Sequence, residues 1–525
     1  MPERNRRELL ELAGRGTLAG LGAAVLGGRG SRAFATAATR THFRALVIGS
    51  GFGGAVAALR LGRAGVDTLV LERGREWPVA PARPVFGSVD GVTDTMFWFR
   101  RTTRYPGLLP TPVRPAPGVL EVAEEDGIDI LCGAGVGGGS VVYTGVTVAP
   151  PRPYFERLYP AGLRHEEFAR TWFPLARRML GASPMPRDVY GSEPFTHSRV
   201  WDRQLARAGF RSTPLDSTFD WDVVRGELAH RVPLSATVGR SDFGCGNGAK
   251  KSLTRGYLPA ALATGHVQLR PLHEVRSIGR RRDGRFRVEV RRLGPHGSVR
   301  GTDEFTCDLL FVAAGTLNTN RLLVAARDSG ALPDLPASLG EGFGDNGDQL
   351  TVRSQPLVRH GAVQGAPCAS GVLVPSGFGL PLRAESWVLP GFHGLPAVVT
   401  LSMTVDTDHR GAFRSDPRTG RVRLTGWRGK SAAAARAAVE LDRRVGAANP
   451  GTLPLTVRIP AYTSHPVGGC AVGRTTDLEG RVRGVPGLYV VDGSLLPGSV
   501  GGANPSLTIT ALAERALARI VANSG

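Results

Sequence analysis

The chain has 525 residues, 42% of them hydrophobic, with 71 glycines and a formal net charge of +20. That length is more than one core ordinarily serves, so two closely connected domains are expected; the composition excludes a disordered chain and fits an α/β protein with many tight turns. The basic excess is almost wholly arginine, because only Lys250, Lys251 and Lys430 among the 65 basic residues are lysine; scattered arginine without a block interleaved with aromatics reads as a solvated surface and argues against a nucleic-acid partner.

Residues 1–40 read as a targeting segment. Arg6 and Arg7 precede a moderately apolar, Gly/Ala-rich run that ends in Ala33-Phe34-Ala35, an A-x-A cleavage pattern. Arg15 interrupts the run, which leaves it too short to span a bilayer. The expectation is a twin-arginine export signal. That route carries folded proteins. The bland alternative is a frayed amphipathic helix.

The mature chain opens on "ALVIG", a short branched apolar run expected as a buried parallel strand. It leads into Gly49-Ser50-Gly51-Phe52-Gly53-Gly54, then a helical pattern closing at Gly65, then a second strand ending at Glu72. Gly49 permits the tight turn, Gly51 lets backbone approach a pyrophosphate, and Gly54 lets the helix pack on the strand. Glu72 stands where an acid accepts hydrogen bonds from a ribose. With strand, loop, helix, strand and acid in order, the stretch predicts a dinucleotide site. FAD is favoured over NAD because the motif opens the mature chain.

A second glycine-rich loop follows in "GAGVGGGS", Gly133 to Ser140, between apolar stretches that imply burial. Such a loop brings N–H groups close to an anion or a flat ring. Five cysteines, Cys132, Cys245, Cys307, Cys368 and Cys470, form no CxxC pair and suggest neither zinc nor a disulfide framework, though a single bridge stays open. "HVQLRPLHEVRSI", containing Val275, and "RFRVEVRRL" read as strands of an inserted sheet. "CDLLFVAAGTLNTNRLLVAARDSG" reads as a later strand and helix of the doubly wound sheet.

Near the end come "YTSHPVGGC", with His465, and "VDGSLLPGSVGGANPSLTITALAER", with Gly493 and Asn504. Asn504 precedes a proline at a helix entrance, where Asn is also an ordinary N-cap. His465 lies in a Pro/Gly-framed turn, and an imidazole near its reference pKa exchanges protons near neutrality. Glu385, in "LRAESWVLPG", is flanked by Trp387, Val388 and Leu389, surroundings that would raise a carboxyl pKa.

Taken in order, these motifs resemble the glucose–methanol–choline (GMC) oxidoreductases, and within them the bacterial cholesterol oxidases that hold FAD non-covalently. The resemblance runs from about residue 42 to 520, is most specific in the C-terminal block and is weak over 346–460. It implies an α/β chain: a Rossmann-like FAD-binding domain from 41–150, 236–345 and 462–525, and a discontinuous substrate domain on a mostly antiparallel sheet from 151–235 and 346–461.

The resemblance also implies flavin contacts at Phe52, Gly53, Glu72, Gly139, Val275, Gly493 and Asn504. Tyr143, Thr144 and Val146 fall where backbone passes the isoalloxazine; the family commonly has Asn, Gly and Met there. One extra residue stands between Gly498 and Asn504 relative to the usual spacing. His465 would take the alcohol proton, Asn504 would orient substrate, and Glu385 would shift the steroid double bond. The implied substrate is a 3β-hydroxysteroid or another bulky alcohol, with O2 as acceptor and transient membrane-surface contact for sterol uptake. A family dehydrogenase lacking isomerase activity, and a secreted sterol-binding protein on a decayed scaffold, are the alternatives.

Overall fold

Strand His42–Ile48 lies at the centre of a seven-stranded sheet, pairing in parallel with Thr68–Leu71 on one side and Val299–Val312 on the other. The computed structural model describes residues 41–80, 85–106, 108–388, 394–455 and 461–522, so the expected export signal lies outside the described residues. Val267–Arg270 adds in parallel beyond Thr68–Leu71. The long strand Val299–Val312 carries two partners along its far edge. Antiparallel Phe286–Leu293 pairs toward its start, and parallel Leu488–Val490 toward its end. His273–Arg280 completes a hairpin outside Phe286–Leu293.

Period-two alternation sorts the side chains of these strands onto two faces. Ala45, Val47, Val70, Phe311 and Tyr489 pack with helices Phe52–Arg63 and Pro505–Ala522. Leu46, Ile48, Leu69, Leu71, Leu310 and Val312 pack with helix Thr316–Asp328. Both faces are covered, which explains why the parallel strands read as unbroken apolar runs. The expected α/β architecture is borne out.

One expectation is corrected. The segment from Val267 is not an inserted sheet: it breaks at Pro271-Leu272, where Leu272 has φ +58°, into an edge strand and a hairpin strand of the main sheet. The 14-residue strand Val299–Val312 is long enough to hold that hairpin and the parallel core together.

A second sheet is antiparallel throughout, in the order Leu453–Leu455, Asp348–Ser354, Ala397–Thr404, Leu382–Trp387, Ser370–Val374 and Thr213–Pro214. Asp348 is the first residue of its strand, and Glu385 sits mid-strand opposite Gly371 and Leu401. All five cysteines are unpaired. Among the described residues no helix is long and apolar enough to cross a membrane.

The two ends of the chain meet at the first helix. A Cβ on Gly53 would lie 1.5 Å from the Val491 carbonyl oxygen, and one on Gly54 2.1 Å from that of Gly49. Neither backbone oxygen can yield without moving a buried strand end. Gly53→Ala is therefore expected to destabilise the protein by about 1–3 kcal/mol or more, read as a lowered midpoint in denaturant unfolding, and to reduce retained flavin. An unchanged midpoint would contradict this contact.

Candidate active site

One cavity of about 520 Å3 opens where the strand ends, the glycine-rich loops and the antiparallel sheet converge. Gly49, Gly51, Phe52, Gly53 and Glu72 line it from the first strand–helix–strand unit. Gly139, Tyr143, Thr144 and Val146 line it from the second glycine-rich loop, and Val275 from the hairpin. His465, Gly493 and Asn504 complete the set from the C-terminal segments. Gly54 is not on the lining; it packs against Gly49 and Ala313. Glu385 is also off the lining but reaches it through Asn504, whose Nδ2 donates to Glu385 Oε2 at 3.3 Å.

The dinucleotide end is built from backbone. Gly138 comes so close to Gly51 that a Cβ on it would lie 2.8 Å from the Gly51 Cα, so the two loops touch main chain to main chain. A Cβ on Gly51 meets nothing nearer than 4.0 Å, which leaves that side open. Helix Phe52–Arg63 begins there with no capping side chain and no acid in its first turn. Its free N–H groups and dipole suit a pyrophosphate.

Glu72 is 5% exposed and held from both oxygens. Ser50 donates through N at 3.1 Å and Oγ at 2.7 Å to Oε2, and Gly74 N donates to Oε1 at 2.8 Å. A carboxylate has about four acceptor positions, so capacity remains for a ribose hydroxyl. Ser50 Oγ also accepts from Gly137 N at 3.0 Å, which locks one loop to the other. Asp492 ties the closing segment in: its Oδ2 accepts from Gly315 N at 2.9 Å and from Thr319 Oγ1 at 2.5 Å, its Oδ1 from Ser494. These residues fit FAD: an open glycine cradle, a helix N-terminus and a fixed acid at the second strand.

The reacting end is built from side chains. His465 Nδ1 lies 2.8 Å from Asp348 Oδ1, while Asp348 Oδ2 accepts from Ser464 N at 3.0 Å and lies 3.0 Å from the Thr463 hydroxyl. With Nδ1 donating to a carboxylate, Nε2 is left as the acceptor. Burial would depress the basicity of His465, but the Asp348 charge and hydrogen bond, with help from Glu385, raise it above the ordinary histidine value. Strand Tyr462–Thr463 pairs in parallel with Ile128–Gly133, so the histidine turn is anchored to the strand that feeds the second glycine-rich loop. Thr316 Oγ1 donates to Pro466 O at 2.6 Å and fixes its other side.

Glu385 is fully buried, and its Oε1 has no hydrogen-bond partner among the described residues; neither does Asn504 Oδ1. Burial raises the Glu385 pKa against the pull of Arg383, Asn504 and His465. Trp387 and Val388 are buried beside it, and Leu389 lies outside the described residues. Asn504 stands immediately before helix Pro505–Ala522. The approach to it, with its extra residue, is stitched by Asn346. Asn346 Oδ1 accepts from Val500 N at 2.9 Å and its Nδ2 donates to Ala503 O at 3.0 Å. Sequence reasoning missed Asp348, Asn346 and Ser50. Their partners lie 117, 154 and 22 positions away, and only Ser50, inside the glycine motif, carried a local signal.

Comparison with known proteins finds similar chains. Residues 412–513 match the family model for GMC oxidoreductase. A cholesterol oxidase of Mycobacterium tuberculosis (strain ATCC 25618 / H37Rv) is 28% identical over 91% of this chain and 91% of its own. A cholesterol oxidase of Acinetobacter baumannii is 24% identical over 91% of this chain and 94% of its own. Among solved structures, a fungal aryl-alcohol oxidase superposes with TM-score 0.63 at 15% identity, covering 92% of this chain and 100% of that one. Pyridoxine 4-oxidase from Mesorbium loti gives 0.62 at 16% identity, covering 91% and 99%. Over residues 412–513 the chain is thus similar to GMC oxidoreductases, and over most of its length it is similar to the two cholesterol oxidases.

Proposed function

We propose that the chain oxidises a 3β-hydroxysteroid of the cholesterol class to the 3-ketone, uses O2 as final acceptor, and then shifts the Δ5 double bond to Δ4. The observation that carries this reading is that His465 and Asn504 line a cavity whose other parts suit FAD, with Glu385 bonded to Asn504 just behind the lining. The names of the two sequence relatives support the substrate class.

Bound FAD supplies the acceptor for the hydride. The chain's own residues manage position and protons. His465 accepts the carbinol proton at Nε2 while Asp348 holds the ring and balances the imidazolium charge. Asn504 orients the substrate oxygen through the amide atoms that Glu385 leaves free. Glu385 then takes a proton from C4 of the Δ5-ketone on its unpartnered Oε1 and returns one at C6, so the shift is balanced with no redox change. A buried carboxyl with a raised pKa is basic enough for that shuttle.

Separate tests reach the two proton transfers. His465→Ala is expected to slow anaerobic flavin reduction by roughly 10²–10⁴-fold. Glu385→Gln keeps the shape and is expected to leave reduction comparatively intact while releasing the unconjugated ketone. Chromatography of the products checks this; conjugated ketone formed at the wild-type rate would reduce the protein to a simple alcohol oxidase.

The Asp348–His465 pair also sets a pH dependence. The base works when neutral, so activity falls as pH drops through the His465 pKa, which lies above the ordinary histidine value. Asp348→Asn removes the charge that raises it, so the acidic limb of the kcat/KM profile is expected to move to lower pH. Flavin reduction at the plateau should fall on the order of 10²–10⁴-fold as the ring loses its orientation. A limb that stays in place would exclude Asp348 as the controlling partner.

A further inference from the structure

Asp242 is a carboxyl that neither the FAD cradle nor the proton relay uses. It sits on the short 3-10 turn Ser241–Phe243, is 2% exposed, and lies on the lining of the same cavity as His465 and Asn504. Neither of its oxygens has a hydrogen-bond partner among the described residues. A buried, unpartnered carboxyl is expensive, and natural cores rarely keep one that binds nothing.

Its surroundings define what it can bind. Lys250 attracts it, but Lys250 Nζ donates to the carbonyls of Val141 at 3.1 Å and Ser241 at 2.5 Å, so it forms no ion pair with the carboxyl. Tyr105 packs on Phe243, ring centroids 4.9 Å apart, and burial together with the Asp242 charge raises the pKa of Tyr105, Tyr462 and Cys368. Tyr105, Val146, Trp387 and Leu401 line the same cavity. Trp387 contributes a buried indole N–H that also has no partner among the described residues. Burial raises the Asp242 pKa against the attraction of Lys250.

We propose that Asp242 is a specificity residue that accepts a hydrogen bond from a second hydroxyl on the substrate, remote from the carbinol that is oxidised. This rests on the alcohol-oxidation reading above and narrows its substrate class from mono-hydroxysteroids to dihydroxylated ones. A neutral hydroxyl is favoured over an ammonium for two reasons. Lys250 already supplies a positive charge beside the carboxyl. The cavity also offers both a free acceptor and a free donor, which a hydroxyl can answer in both senses and an ammonium in only one. A site built to bond a hydroxyl rejects the analogue lacking it, because its own polar group is then left unpaired.

The test uses the flavin-loaded full-length protein. Its probes are a 3β-hydroxysteroid with that hydroxyl alone and isomers carrying a second hydroxyl at successive ring and side-chain positions. At least one diol is expected to exceed the parent in kcat/KM by about 10- to 100-fold, the range for a hydrogen bond to a charged group. Asp242→Leu should collapse that ratio toward one, and Asp242→Asn, which keeps shape and an acceptor but not the charge, should reduce it; flavin absorbance reports that each variant is folded and loaded. Equal use of parent and every diol, or a diol preference unchanged in both variants, would overturn the role of Asp242 while leaving alcohol oxidation standing. Failure of every steroid to reduce the flavin would overturn both.

Discussion

The site depends on the carboxylate of Asp348. One oxygen orients His465; the other accepts from Ser464 and meets the Thr463 hydroxyl. Asp348 opens a strand of the antiparallel sheet, whereas Thr463 and His465 belong to the segment paired beside the second glycine-rich loop. One buried acid thus ties the antiparallel sheet to the segment beside the second glycine-rich loop and raises the basicity of the candidate base. A charged hydrogen bond in this setting is stronger than a neutral one, and losing it would leave polar groups on both sides without partners.

Around that bond the architecture divides labour by chemistry. Where a dinucleotide would lie, backbone does the binding, and side chains are excluded by contact between Gly51 and Gly138 and between Gly53 and Val491. Where an alcohol would react, side chains dominate and several have no partner among the described residues: Glu385 Oε1, Asn504 Oδ1, Trp387 Nε1 and both oxygens of Asp242. Polar atoms held unpaired in an apolar cavity cost stability, and sites of function are where proteins accept that cost.

Much of this was legible in the sequence because its signals are local. The glycine motif, its flanking strands and Glu72 lie within one stretch, and their spacing carries the geometry directly. His465 and Asn504 were found through the family resemblance of the closing segments, and they lie on one cavity. What stayed hidden is long-range. Asp348 is an unremarked acid until the fold brings it to His465, and Asp242 looks like any surface Asp until the turn buries it. The hairpin containing Val275 was misassigned because periodicity identifies a strand but not its sheet. Only the length of Val299–Val312 decides that the hairpin continues the central sheet.

In the proposed reaction, the closing segments, the first glycine motif and the antiparallel sheet form one site in which a substrate C–H bond is broken toward the cofactor while His465 removes the hydroxyl proton. Anaerobic stopped-flow mixing with a 3β-hydroxysteroid deuterated at C3 measures that step directly. The flavin absorbance is expected to bleach with a primary deuterium isotope effect on its rate. Flavin that stays oxidised, or bleaches with no isotope effect on the step, would contradict it.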